Sequence, residues 1–155
     1  MSAADGPTAT VVFRVASDTG VVNVETLWAF ELGGARYRLD NIPYYAYSVS
    51  LGDVVLAPLD PQDQRPTFAS VLEKSGNRTV RVLFDAPAEP GSEAEQLLGR
   101  LVAMGCDYED ANRRYVAINI PPAVELAAVR DVLVDNALTW EHADPSYSEL
   151  YPDDT

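Results

Sequence analysis

Cysteine, histidine and lysine each occur once in the 155 residues, as Cys106, His142 and Lys74. A single cysteine excludes an internal disulfide and any zinc site built on cysteine pairs. A single histidine leaves Ser–His–Asp, Cys–His and two-histidine metal chemistry with one residue to draw on. No apolar run approaches the roughly 18 residues of a membrane span. No basic segment followed by an apolar stretch marks a secretory signal. Neither G-x-x-x-x-G-K-[ST] nor G-x-G-x-x-G occurs, so a phosphate-cradling loop is not expected. Basic residues are few: 11 Lys and Arg against 24 Asp and Glu, for a formal net charge of -13. Such a surface repels nucleic acid and anionic lipid alike. What remains is a folded, cytoplasmic protein of one average domain or two small ones. Neither cofactor nor metal is expected, and no catalytic set can be named.

What is present is unevenly spread. Residues 1–80 carry nine acids and six bases, whereas residues 81–155 carry fifteen acids and five bases. From Asp131 onward there are seven acids and no Lys or Arg. An acidic half of this kind favours a basic partner, and acts mainly on association rate.

The hydropathy pattern changes period near residue 78. Residues 1–9 are small and polar and read as frayed. Thr10–Ala16 reads as a strand. Val21–Leu32 is the clearest strand, with Val22, Val24, Thr26, Trp28, Phe30 and Leu32 on one face and Asn23, Glu25 and Glu31 on the other. Gly33-Gly34 makes a hairpin turn into Arg36–Asn41, with Tyr37 and Leu39 inward. Val54–Leu59 and Thr67–Lys74 complete about five short strands, which suggests a small β-barrel-like half over residues 10–77. From 78 the order is strand (Arg78–Asp85), helix, strand (Cys106–Asp110), strand (Tyr115–Ile120), helix, strand (Thr139–Ala143). Ser92 with Glu95 fits a capping box for the first helix, and Gly105 stops it. Pro121-Pro122 launches the second, with Val129 and Leu133 among its buried residues, and Asn136 can end it. This is the ferredoxin-like, split βαβ arrangement over residues 78–144. The expected class is therefore α+β, two halves packed as one body. The acidic aromatic tail 145–155 is not helical by pattern, and is either docked or free.

Leu27-Trp28-Ala29, Tyr37 to Pro43, Tyr47, Ser50 to Val55, Val71 to Gly76 and Thr79-Val80-Arg81 stand in an order that resembles a family of small bacterial proteins defined as domain of unknown function 4265. The resemblance is densest over residues 24–82. It implies no catalytic residues.

Three groups are candidates for a site. Tyr44, Tyr45 and Tyr47, after Asn41-Ile42-Pro43, either anchor a partner or cap a structural corner. Asp135, Glu141, Asp144 and Glu149 lie at or beyond the last strand, where replacement by amides is expected to spare the fold and slow association with a basic partner. Trp28, Asn41 and Asp53 are candidates to line a small-molecule cleft between the halves. Asp107, Glu109, Asp110 and Glu125 suit a hard cation less well than a hairpin salt-bridged through Arg113 and Arg114. His142 reads as an ordinary edge histidine and Cys106 as a buried apolar residue. The leading expectation is a non-enzymatic protein that binds a basic protein, such as an inhibitor or immunity protein. A small-molecule-binding or regulatory module is the alternative.

Overall fold

A computed structural model describes residues 6–17, 19–136 and 138–154, so the first part of the segment read as frayed and Thr155 lie outside the described residues. The chain forms two antiparallel sheets and three helices. The first sheet takes β1 (Ala9–Ala16), β2 (Val22–Gly33), β3 (Arg36–Leu39), β4 (Val54–Leu56) and β5 (Ser70–Glu73) in the spatial order β1-β2-β3-β4-β5. Gly33, Gly34 and Ala35 all adopt positive φ at the β2–β3 turn, which only glycine does without strain.

β2 separates its two faces as the alternation predicts, but the buried face is the one that holds the acids. Leu27 and Ala29 enter the core with Glu25, while Trp28 is 51% exposed and Val22 and Val24 are exposed too. The register explains this. Val11 lies opposite Leu27, Phe13 opposite Glu25 and Ala29 opposite Leu39, so one set of alternate residues from three strands closes on Val49 and Val55. Branched and aromatic residues suit either face of a strand, so periodicity alone does not say which face is inside.

The first sheet is not a closed barrel. Val12 exchanges hydrogen bonds with Pro66 and Phe68 across a lone parallel bridge, with no continuous ladder. The expected strand 67–74 is consequently divided between two partners. Its start pairs with β1 and only Ser70–Glu73 pairs with β4.

The second sheet takes β6 (Arg78–Leu83), β7 (Asp107–Asp110), β8 (Tyr115–Ile120) and β9 (Thr139–Asp144) in the order β7-β8-β6-β9. Helices α1 (Glu93–Met104) and α2 (Leu126–Asp135) pack on one face. Leu97, Leu98, Leu101, Val129 and Leu133 meet Val80, Val82, Val116, Ile118 and Ile120 there. Ser92 accepts from the Glu95 amide, but Glu95 turns its carboxylate to the Gly91 amide, so half of the expected box forms. α2 starts five residues after Pro121 because Pro121 to Glu125 form a turn first.

The opposite face of this sheet is polar. It carries Thr79, Arg81, Glu109, Tyr115, Asn119 and Glu141, and it lies against the 41–50 segment of the first half. The tail is helical, contrary to its pattern. Helix α3 (Tyr147–Leu150) is held by a complete capping box between Ser146 and Glu149, followed by a 3-10 turn over Pro152–Asp154. Four residues are too few for a hydrophobic period, so the cap is the one signal the sequence could carry. No helix among the described residues is long and apolar enough to cross a membrane.

Because the sheets share a polar seam and are joined only through residues 74–77, a single calorimetric transition is expected on heating. Two resolved transitions would show that the halves fold separately.

Candidate binding groove at the seam of the two sheets

Arg81 sits at the middle of β6, between the buried valines 80 and 82, and is 1% exposed. Alternation turns it away from the helices and into the seam. Its Nε donates to Glu141 at 3.0 Å, Nη1 to the carbonyls of Pro43 and Ala46, and Nη2 to that of Tyr45. Its guanidinium lies 4.7 Å from the centre of the Tyr47 ring. The Tyr47 hydroxyl in turn donates to Glu141 at 2.7 Å.

Two carboxylates fix the same loop through its backbone. Glu25 accepts from the amides of Tyr44, Tyr45 and Ala46. Glu109 accepts from the Ile42 amide and the Asn41 side chain, while Asn41 Oδ1 takes the Trp28 amide at 2.7 Å. Tyr115 stacks on Tyr45 and donates to the Tyr44 carbonyl, and burial pushes its phenol up to about 12. The three tyrosines therefore serve a structural corner. Tyr45 and Tyr47 keep part of their rings exposed.

A second polar knot closes the other end of the seam. Lys74 Nζ bridges Asp53 at 2.6 Å and Asp144 at 2.7 Å. Burial works against its charge, but the two carboxylates outweigh it and raise its pKa. Asp144 also accepts from Ser50, whose hydroxyl meets Thr79 at 2.7 Å. Asp53 further holds the amides of Ser50 and Ser75.

These contacts correct the reading of the acids. Asp144 is buried and Glu141 is paired to a buried cation. Glu149 caps α3 and accepts from Ser48, which holds its carboxyl below the usual range. Of the four acids expected to be free of the fold, only Asp135 is exposed with no partner shown. The cleft expected from Trp28, Asn41 and Asp53 is not formed: Trp28 faces outward, and the other two are bound within the seam. Among the described residues no ion pair joins the β7–β8 acids to Arg113 or Arg114, because Glu109 is turned into the seam and Arg114 donates to the Phe84 carbonyl. Cys106 is buried, and burial raises its thiol pKa. Arg81, Glu25, Ser50 and Lys74 were not singled out. The signals were a lone arginine inside an alternating apolar strand, an acid on a strand face and a solitary lysine.

An open groove of about 1280 Å³ runs where β9, α2, the tail and the Tyr47-Ser48 turn meet. Trp140, His142, Tyr151 and Tyr147 form a continuous aromatic wall, with successive ring centres 4.7, 6.3 and 4.8 Å apart. Arg130, Glu141 and three serines supply the polar lining. His142 is 8% exposed and its Nδ1 is buried without a hydrogen-bond partner. Burial, and then the Arg130 cation, lower its pKa. A buried ring without a partner at Nδ1 disfavours the charged imidazolium, because that form would place an unsatisfied charged donor there.

Two outcomes are expected. Arg81→Ala should destabilise the protein by about 3–5 kcal/mol in urea unfolding, because Glu141 and three carbonyls lose their donor. Since the folded His142 pKa lies below its unfolded value, the unfolded chain binds the extra proton first. Stability should therefore fall as pH drops below about 6.5 and level off beneath the folded pKa. Melting temperatures from pH 7.5 to 5.5 should show this fall, and His142→Gln should flatten it.

None of the curated proteins compared matches the chain. A solved structure, described as a novel crystal structure of a hypothetical protein from Neisseria gonorrhoeae, aligns with a TM-score of 0.74 over 90% of this chain and 96% of that one. At 18% identity the likeness speaks for the fold alone. The family profile of a domain of unknown function, DUF4265, matches residues 25–142. Apart from Asp144, the named seam residues fall within the matched span, and the chain belongs to the DUF4265 family.

Proposed function

We propose that the protein is a non-enzymatic interaction module that binds a basic segment of a partner protein in the groove along β9. The observation that carries this reading is the groove itself, with its aromatic wall set in the most acidic part of the chain. Asp131 and Asp135 lie on α2, which lines the groove through Arg130, and Asp153 lies in the tail; all three are exposed, and Asp131 pairs with Arg130 at 3.7 Å. Aromatic rings supply contact area at low entropic cost, and the surrounding acids raise the encounter rate with a cation-bearing partner.

We further read the second half as ferredoxin-like. Its strand order β7-β8-β6-β9 and its βαββαβ sequence support this, with residues 10–77 as the other unit and the tail as a docked extension. A small-molecule ligand is the second reading. The unpartnered Nδ1 of His142 favours it, since a polar ligand that reorients the ring would satisfy that atom.

The charge test needs acids that hold nothing inside. Replacing Asp131, Asp135 and Asp153 by asparagine should leave the melting temperature within a few degrees. A lysine-rich synthetic peptide should then associate roughly tenfold more slowly at low salt, with the difference shrinking at high salt. Equal association rates for both proteins would reduce these acids to a solubility surface.

A further inference from the structure

We propose that the partner segment enters the groove as an added β-strand on the free edge of β9. This rests on the binding reading above and names its mode. The groove lining includes Trp140, Glu141 and His142, three consecutive residues of one strand. Consecutive strand residues point to opposite faces, so a single groove can touch all three only along the strand's edge. Among the described residues β6 is the one strand that pairs with β9, so the outer edge of residues 139–142 has no strand partner, while at Ala143 that edge meets Ser48 and a lone bridge to Ser146. Edge strands present unsatisfied backbone N–H and C=O groups at every second residue.

Two other sheet edges, β7 and β1, are guarded. β7 carries Asp107, Glu109 and Asp110 on its four residues. β1 is covered where Val12 meets Pro66 and Phe68. On β9 the Ser48 amide already donates to the Ala143 carbonyl at 2.8 Å, which begins a strand addition at one end. Residues 139–142 continue the same edge into the groove, with no proline or lysine to deter pairing.

The occupant is an extended segment with alternating character. On the α2 side its residues meet Trp140 and His142 of β9, with the Arg130 cation nearby and paired to the exposed Asp131 at 3.7 Å. Apolar or aromatic side chains fit there, and a second cation does not. On the other side they meet Tyr47 and Glu141, with Glu149 beyond Ser48. Basic side chains fit there. A second copy of the chain is disfavoured, since two molecules of net charge -13 would meet through their most acidic regions.

The probe is a capped seven-residue peptide that alternates valine and lysine, used with the full-length protein. Two further versions carry N-methyl groups on alternate backbone nitrogens, one on each parity, and a fourth has glutamate in place of lysine. Strand addition predicts that the parent peptide binds and that one methylated parity loses at least tenfold in affinity while the other is tolerated. It also predicts that amides within residues 139–142 exchange at least tenfold more slowly in the complex, and that the glutamate peptide binds at least tenfold more weakly. Equal loss or equal tolerance for the two parities, with no new amide protection, would overturn strand addition and leave the binding reading standing. Preference for the glutamate peptide would overturn the assigned charge. A dimer that protects residues 139–142 without peptide would overturn the assigned occupant. Failure of all four peptides to bind would sink the proposal together with the reading it rests on.

Discussion

The structure depends most on the burial of the Arg81 guanidinium in the seam between the sheets. A cation taken out of water requires a counter-charge and acceptors for its donors. Glu141 supplies the first, and the carbonyls of Pro43, Tyr45 and Ala46 supply the second. These demands explain why the 41–50 segment is held in one conformation by Glu25 and Glu109, whose carboxylates take up its amides. Each buried group in the chain of contacts has its partner on another element, so the two sheets are fixed in one relative orientation.

The Lys74 knot applies the same logic at the other end. Ser50 with Asp53, Thr79 and Asp144 come from three separate places in the chain and converge within hydrogen-bond distances. Polar seams of this kind specify geometry more than they add stability, because removal of either partner leaves a buried charge alone. They also change what the net charge means. Several of the 24 acids are bound inside the molecule, so the surface that meets a partner is less acidic than composition suggests.

The groove follows from where the seam stops. Along residues 139–142, among the described residues, no backbone of the first half bonds the outer edge of β9, and the tail, begun by its capping box, forms a wall in place of a fifth strand. An aromatic wall, a bare strand edge and a neutral histidine are left together. The edges of β7 and β1 are shielded by acids and by bridging backbone respectively.

Much of the architecture was legible from the sequence. Alternation located the strands, Ser92 and Gly105 bounded α1, and the family resemblance rested on residues that now form the seam, Asn41, Asp53, Lys74 and Arg81 among them. These features are local: a period, a cap or a turn is complete within a few residues. The sequence alone could not say which face of β2 is inside, because Val24 and Trp28 suit either face and only the register with β1 and β3 chooses. Nor could it say that Glu141 and Asp144 are tied to cations of the seam, since their partners Arg81 and Lys74 lie 60 and 70 positions away. The site was decided at the same level. A groove along a strand edge exists only once the order of the strands is set, and that order is a property of the tertiary structure.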